Sequence, residues 1–118
     1  MSSISIIIPH YNGWEVLDEC LSSLHKTEGI DNFEIIIVDN SSSDDSIIKA
    51  KKKYSLISIV SSSKNLGYSG GCNLGARKAK GEFLVFLNND TIMEKNWLKI
   101  LEKKINSNSN IASVQPKI

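Results

Sequence analysis

The sequence predicts an α/β fold in which helices cover both faces of a mostly parallel β-sheet. Two regularities in the 118 residues support this class. Short apolar runs with the length of buried strands alternate with stretches whose apolar residues recur every three or four positions, as on one face of a helix. Strands that are joined through helices form right-handed crossovers, which make them parallel. The length is that of about one domain, so a single domain over residues 1–118 is expected.

Each predicted strand is an apolar run that has turn residues or polar residues on both sides. The first, a β-branched run over residues 4–8, is expected to end near Pro9, which has no N–H to donate to a central ladder. Later strands are expected at residues 33–38, 56–60, 83–87 and 111–114.

The predicted helices lie between these strands. The first covers about residues 14–26, and its apolar residues share one face because they are three or four positions apart: Trp14, Leu17, Leu21 and Leu24. The second is expected to begin from a cap at Ser43 or Asp44. The third opens within the glycine-rich residues 65–81, and the fourth covers about residues 95–104.

The composition argues against several classes of partner. Lys and Arg number 14 against 13 acidic residues, so the net charge of +1 gives no electrostatic basis for binding nucleic acid. Cys20 and Cys72 have neither the density of a secreted disulfide framework nor the spacing of a zinc site, so reduced thiols are expected. The N-terminus lacks the features of a signal peptide. A cytoplasmic location is therefore expected, with the full-length protein allowed a place at the inner face of the membrane.

Two predicted strands end abruptly on polar residues, at the edge of a parallel sheet where ligands bind. The strand that ends at residue 38 is followed by Asp39, whose carboxylate can accept a hydrogen bond from a nucleobase or a ribose hydroxyl. A turn or cap role is an equally good interpretation of Asp39. The strand that ends at residue 87 is followed by Asn88, Asn89 and Asp90. Asp90 is a candidate ligand of a divalent cation, and a capped loop before the next helix is the alternative.

Residues 65–81 are far denser in glycine than the rest of the chain. Such a segment lets the backbone approach a ligand closely and leaves helix N–H groups to face an anion. It contains neither G-x-G-x-x-G nor the P-loop pattern, so a flexible turn that leads into a helix is the alternative. His10 is expected to line the same pocket, whereas His25, near a helix C-terminus, is expected at the surface.

Four segments occur in an order that is more specific than any one of them. They are Ile-Ile-Ile-Pro-His-Tyr-Asn at 6–12, Val-Asp-Asn-Ser-Ser-Ser-Asp at 38–44, Asn-Leu-Gly at both 65–67 and 73–75, and Gly-Glu-Phe-Leu-Val-Phe-Leu-Asn-Asn-Asp at 81–90. In this order they resemble the N-terminal, nucleotide-sugar-binding half of family 2 glycosyltransferases, over nearly the whole chain. The resemblance implies a Rossmann-like, GT-A-type fold that is truncated here, so that residues 1–118 form the N-terminal part of a longer glycosyltransferase domain.

The resemblance also implies an activity. Family members transfer a sugar, with inversion, from a nucleoside-diphosphate donor to the hydroxyl of a saccharide or lipid-linked acceptor in cell-wall or polysaccharide biosynthesis, usually with Mg²⁺ or Mn²⁺. The Asn-Asn-Asp-Thr and Gly-Gly-Cys-Asn variants resemble the rhamnosyltransferase-like branch, which favours a dTDP- or UDP-sugar. The general base is expected outside this chain, so the fragment alone is expected to be inactive.

Carried over position by position, the family pattern assigns residues to the nucleotide. It places Pro9 and Tyr11 beside the nucleoside and Asp39 on the base. It also implies that Asn65 and Gly67 line the nucleotide pocket.

The pattern assigns two further residues to the diphosphate and the metal. Asn88 and Asp90 match the first and last positions of the D-x-D motif, and Asp90 is the implied metal ligand. Asn88 stands where many members carry Asp, and its amide contributes no charge to a cation. Cys72 stands where many members carry Arg, so no phosphate or base contact transfers to it.

Two other functions stay open at this stage. The first is a truncated, non-catalytic domain that binds a nucleotide or a protein partner. The second is a nucleotidyltransferase of similar topology, which would need a basic phosphate loop after the first strand, and residues 9–14 contain no Lys or Arg. Apolar surface that would pack against a missing half is expected to favour self-association.

Overall fold

The structure is a computed structural model that describes residues 3–27 and 33–107. Strands and helices alternate along it in the order β1 (Ile4–His10), α1 (Trp14–His25), β2 (Phe33–Asp39), α2 (Ser46–Lys53), β3 (Ile57–Ser61), α3 (Gly67–Lys78), β4 (Phe83–Phe86) and α4 (Trp97–Ser107). The predicted elements are therefore confirmed in type and order over this part of the chain. The strand predicted at 111–114 lies outside the described residues.

The sheet has four strands in the order β3-β2-β1-β4, and every neighbouring pair is parallel. The chain steps from β1 through β2 to β3 and then returns to place β4 on the other side of β1. Right-handed crossovers in opposite directions put their helices on opposite faces. The predicted parallel sheet with helices on both faces is thus confirmed. The order in which strands are added to the sheet reverses between β1 and β4, although all four strands run in the same direction.

Alternate residues of β1 divide the core into two layers. Ile4, Ile6 and Ile8 are buried against α1, α2 and α4, whereas Ile7 is buried on the face that α3 covers. The apolar stripe predicted for α1 is confirmed, since Leu17, Leu21 and Leu24 are fully buried. Because alternate residues of a strand point to opposite faces, these two layers determine the face of the sheet on which each side chain at a strand end lies.

Close contact of α3 with the sheet depends on Gly75. A Cβ atom at this position would lie 2.5 Å from Ile7 Cγ2 and 2.9 Å from Val38 Cγ2, closer than van der Waals contact allows. Part of the glycine density in residues 65–81 is therefore explained by packing of helix on strand, which brings the start of α3 close to the ends of β1 and β2.

Pro9 does not end β1, because the strand continues to His10 in register with Asp39 of β2. The last paired residues of β1 and β4 are Ile7 and Phe86, and the Leu87 N–H donates to the Ile7 carbonyl at 3.0 Å. Since alternate residues of a strand bond to opposite neighbours, the N–H that Pro9 lacks would have faced β4. Pro9 thus ends the pairing with β4 alone, and the two strands separate at their carboxyl ends.

Of the smaller predictions, some are confirmed and one is wrong. The N-cap residue of α2 is Asp45, so the prediction of a cap at Ser43 or Asp44 is wrong by one or two positions. The Asp44 side chain does accept a hydrogen bond from the N–H of Ser46, the first residue of the helix, at 3.1 Å. Cys20 and Cys72 are free thiols, as predicted. Among the helices of the described residues, none has the length and apolar character needed to cross a membrane.

Candidate functional site

Two loops at the carboxyl edge of the sheet are joined to each other by side-chain hydrogen bonds. Asn12, in the β1–α1 loop, accepts from the backbone N–H groups of Ser43 at 2.8 Å and Asp44 at 3.3 Å. The Gly13 N–H donates to Asp44 Oδ2 at 2.7 Å. Asn12 and Gly13 have φ values of 53° and 101°, a region that Asn and Gly adopt most readily. The Asn-Gly pair therefore lets the chain turn sharply after β1 and hold the loop after β2.

Asn40 joins the end of β2 to the start of α3. Its side chain is buried, donates to the Gly67 carbonyl at 3.1 Å and accepts from the Leu66 N–H at 3.3 Å. A Cβ atom on Gly71 would lie 2.9 Å from Pro9 Cβ and 3.1 Å from Asn40 Nδ2. The first turn of α3 is therefore held directly above the end of β1. Asn40 was not predicted as a site residue, although its place beside Asp39 at a strand end was a usable signal.

His10, the last residue of β1, is 1% exposed and connects three elements. Its Nε2 lies 2.8 Å from Ser46 Oγ, at the start of α2, and its Nδ1 lies 3.0 Å from Asn89 Nδ2, after β4. Ser46 Oγ donates in turn to Asp44 Oδ1 at 2.5 Å. Burial lowers the pKa of His10, and the carboxylates of Asp44 and Asp39 oppose that shift. His10 therefore faces the site as a neutral imidazole near pH 7.

A crevice of about 340 Å³ opens where β1 and β4 separate. Its size lies at the lower end of the range for small-molecule sites. Six of the seven predicted donor and metal residues line it together with four others: Pro9, His10, Tyr11, Asn40, Asn65, Gly67, Tyr68, Asn88, Asn89 and Asp90. Residues from four separate parts of the chain thus meet at the point where the strand order reverses, which is where open α/β sheets bind ligands.

Asp39 is the predicted residue that does not line this crevice. Its Oδ1 accepts from the Ser42 N–H at 2.9 Å, which closes a turn after β2. The turn role considered as the alternative is therefore present. That bond leaves a carboxylate with further accepting capacity, so the contact with a nucleobase stays a prediction.

Two tyrosines flank the crevice with exposed rings. Tyr11 is 49% exposed and Tyr68 is 46% exposed. Burial, with a smaller contribution from Cys72, raises the pKa of Tyr68 to about 12, so its hydroxyl stays protonated. Burial also raises the pKa of Cys72, which leaves a neutral thiol at the position where the resemblance implied Arg. Tyr68 was missed in the sequence because one aromatic residue after a glycine has no diagnostic spacing.

The crevice offers few donor atoms for a divalent cation. Asp90 is exposed at the mouth of the crevice and is flanked by the amide of Asn89. Within the described ranges, no three His, Cys, Asp or Glu residues are grouped as a metal site would need. One carboxylate fits a cation such as Mg²⁺ that takes most of its ligands from substrate phosphates and water, and it does not fit a site that the protein alone would fill.

A parallel sheet with a polar crevice at the reversal of its strand order defines the chain as an open α/β domain with a candidate ligand site at the carboxyl ends of its strands. Comparison with known proteins identifies the family. Residues 5–117 match the model of Glycosyl transferase family 2, so the chain belongs to that family, as the motif order predicted.

Individual relatives agree with this assignment. The chain is 39% identical over 92 residues to the poly(ribitol-phosphate) beta-glucosyltransferase of Bacillus spizizenii, covering 74% of this chain and 14% of the relative. It is 33% identical over 116 residues to the cholesterol galactosyltransferase of Borreliella burgdorferi, covering 95% of this chain and 32% of the relative. The chain therefore spans less than a third of the length of these relatives.

A solved structure agrees in fold. S. aureus TarS 1–349 in complex with UDP-GlcNAc superimposes with a TM-score of 0.79 at 26% identity, over 89% of this chain and 31% of that one. The GT-A type of fold is confirmed by this likeness.

Proposed function

We propose that this chain is the donor-binding half of an inverting glycosyltransferase. The observation that carries the proposal is the crevice at the reversal point of the sheet, which gathers Pro9, Tyr11, Asn65, Gly67, Asn88 and Asp90 in a chain of family 2. These residues are far apart in the sequence, and no local structural need requires them to converge on one cavity. We assign the general base to no residue of this chain.

The nucleoside lies between the two exposed tyrosines in this proposal. Tyr11 and Tyr68 offer aromatic faces on which a base stacks. Asp39 and Asn40 stand at the adjoining end of β2, where a base N–H or a ribose hydroxyl meets an acceptor. A bound nucleoside would cover the exposed rings of both tyrosines.

The diphosphate lies above the first turn of α3. The Gly67 N–H is already bonded to Asn65 Oδ1 at 2.8 Å, so the next N–H groups of the helix are the ones that face an anion. Asp90, which also lines the crevice, would hold Mg²⁺ or Mn²⁺ together with phosphate oxygens. A bound cation of this kind stabilises the negative charge of the leaving diphosphate.

The reaction is a displacement at the anomeric carbon. An acceptor oxygen forms a bond to that carbon from the face opposite the diphosphate while the bond to the phosphate oxygen breaks, and the configuration inverts. The residues of this chain bind and orient the donor, and the proton of the acceptor hydroxyl goes to a base that the rest of the enzyme supplies.

The donor and the acceptor are proposed from two different sources. TarS has been solved with UDP and with UDP-GlcNAc, which supports a uridine donor. The motif variants at 70–73 and 88–91 support a dTDP-sugar as the second candidate. The relative that acts on poly(ribitol-phosphate) supports a saccharide or polyol acceptor in cell-wall biosynthesis.

Isothermal titration of the chain with UDP, dTDP and GDP, with and without Mn²⁺, tests the proposal. We expect UDP or dTDP to bind, and Mn²⁺ to strengthen that binding. The fold of the sample is checked by circular dichroism before each titration. If the folded chain binds none of the three nucleotides in either condition, the proposed donor site is wrong.

A further inference from the structure

The orientation of the Asn89 side chain is determined by hydrogen bonds that begin outside the crevice. Ser46 Oγ lies 2.5 Å from Asp44 Oδ1, and an ionised carboxylate only accepts hydrogen bonds. The single hydrogen of the Ser46 hydroxyl is therefore used in that bond. It follows that Ser46 Oγ accepts the bond from His10 Nε2, at 2.8 Å, and that His10 carries its hydrogen on Nε2.

The other ring nitrogen of His10 must then be an acceptor. The ring is buried, and burial lowers the pKa of His10 although Asp44 and Asp39 oppose the shift, so the imidazole is neutral. His10 Nδ1 has a lone pair, and the Asn89 atom 3.0 Å away must be the nitrogen that donates to it. The reversed amide would set the Asn89 oxygen against that lone pair, so the two orientations of the carboxamide are not equivalent.

We infer that Asn89 presents Oδ1 to the crevice as an acceptor for a hydroxyl group of the bound donor, and that His10 is the positioning residue that keeps it there. Asn89 lines the crevice, and its nitrogen is occupied on the His10 side. The hydroxyl belongs either to the ribose or to the transferred sugar. The inference rests on the proposed donor site, and it adds a specificity-determining contact to that site.

The hydrogen positions on His10 can be measured without any ligand. Long-range ¹H–¹⁵N correlations of the imidazole rings in the full chain distinguish the two neutral tautomers and the cation. At about pH 7.5 we expect His10 to have its hydrogen on Nε2, and the ring of His25, at the end of α1, provides a second imidazole in the same spectrum. A hydrogen on Nδ1, or a cationic ring, would overturn the inference.

The contact itself is tested by a double-mutant cycle. UDP or dTDP, whichever the chain binds, and its glucose conjugate are titrated into the wild type, Asn89→Ala, Ser46→Ala and the double variant. We expect Asn89→Ala to weaken binding by roughly three- to ten-fold, the range for one neutral hydrogen bond. Ser46→Ala should weaken binding less, and it should have no further effect once Asn89 is Ala, because Ser46 acts through His10 and Asn89.

Ser23→Ala is the matched control. Ser23 is also a buried serine with two hydrogen-bond partners, the Cys20 carbonyl at 2.8 Å and the Met93 N–H at 3.0 Å, but it does not line the crevice. Its replacement should lower stability and leave the dissociation constant unchanged.

The outcomes separate the two hypotheses. Weaker binding of the free nucleotide places the hydroxyl on the ribose, and weaker binding of the glucose conjugate alone places it on the sugar. Wild-type affinity in Asn89→Ala, or additive effects of Ser46→Ala, would overturn the inference and leave the donor site intact. If the folded wild type binds no nucleotide, the donor site itself is wrong and the hydroxyl contact is wrong with it.

Discussion

The strands of the parallel sheet have polar networks at both of their ends, here called the amino edge and the carboxyl edge of the sheet. The two networks differ in what their hydrogen bonds hold. At the amino edge, Ser5 Oγ donates to Glu34 Oε2 at 2.5 Å and accepts from the Gly81 N–H at 2.8 Å, while Glu34 also accepts from the Lys80 N–H at 2.7 Å. These bonds tie β1, β2 and the residues before β4 to one another. Polar atoms there find their partners within the protein.

At the carboxyl edge, the bonds between loops leave side chains directed at a cavity. Asn40 and His10 form hydrogen bonds to Gly67 and Asn89, which line the crevice. Asn12 holds the neighbouring loop after β2 through the Ser43 N–H. Next to Asp90, Thr91 Oγ1 is buried and has no hydrogen-bond partner within the described part of the chain. We therefore expect the amino edge to contribute mainly to stability and the carboxyl edge to contribute mainly to ligand binding. The predictions below separate these two properties.

The largest effect is expected from Gly81→Ala at the amino edge. The added Cβ would lie 2.7 Å from Ser5 N and 2.8 Å from Ile4 C, and backbone atoms cannot move aside as a flexible side chain can. We expect a loss of about 2 kcal/mol in the free energy of unfolding, measured with urea, from overpacking of this kind. The nucleotide affinity of the folded fraction should not change.

Gly67→Ala is the matched substitution at the carboxyl edge. Gly67 has a φ of 73° and no heavy atom within 4 Å of the added Cβ, so only backbone strain of about 1 kcal/mol is expected. Because Gly67 lines the crevice, this variant should lose nucleotide affinity. An unchanged affinity in Gly67→Ala together with a lower one in Gly81→Ala would contradict the division between the edges.

The carboxylates of the carboxyl edge should separate nucleotide binding from metal binding. Asp90→Ala should remove most of the strengthening by Mn²⁺, a loss of about tenfold or 1.4 kcal/mol, because the cation then lacks its protein carboxylate. Asp39→Ala should weaken binding to a similar degree with or without Mn²⁺. Titration calorimetry in both conditions distinguishes them, and equal losses for both variants in both conditions would refute these roles.

Thr91→Val tests the unpartnered hydroxyl at the carboxyl edge. Val replaces the hydroxyl with a methyl group of similar size, and a buried polar atom without a partner costs free energy. We expect the free energy of unfolding to rise by about 1 kcal/mol, measured with urea in the absence of ligand. A decrease would mean that the hydroxyl has a partner in solution, such as a bound water.

The smallest effect is a pH dependence that arises from His10. Its pKa is lowered from an ordinary value of 6.5, so below that pH the unfolded chain takes up a proton that the folded chain does not. The contribution to stability is thus fully present above about pH 6.5 and is lost as the pH falls toward the pKa of the folded state. Urea midpoints at about pH 7.5 and 5.5 should differ more for the wild type than for His10→Gln. An equal difference would argue against a neutral, buried His10.

The sequence predicted the elements well because their signal is local. Spacings such as that from Leu17 to Leu21 and Leu24 report burial on one helical face, and abrupt strand ends such as Leu87 to Asn88 mark the edge where ligands bind. Of the seven residues that the motif order assigned to the donor and the metal, six line the crevice in the structure. The exact end of β1 was not predicted, because a proline can lie within a strand when only one neighbour requires its N–H.

The residues that arrange the site were not predictable in the same way. Asn40 bonds to residues 66 and 67, and His10 bonds to Asn89, which lies 79 positions along the chain. Such contacts have no periodicity and appear only when the strands are brought side by side. The sequence therefore indicated which residues meet at the carboxyl edge, and the structure was needed to show what holds them in place.

Mapping of nucleotide contacts by NMR tests the central claim most directly. UDP or dTDP is titrated, with Mn²⁺ replaced by diamagnetic Mg²⁺, into the ¹⁵N-labelled chain, and the backbone amide shifts are followed at both edges. We predict large changes at Asn40, Gly67, Tyr68 and Asn89, and none at Ser5, Lys80 and Gly81. Changes that are confined to the amino edge, or spread equally over both edges, would contradict a donor site between β1 and β4.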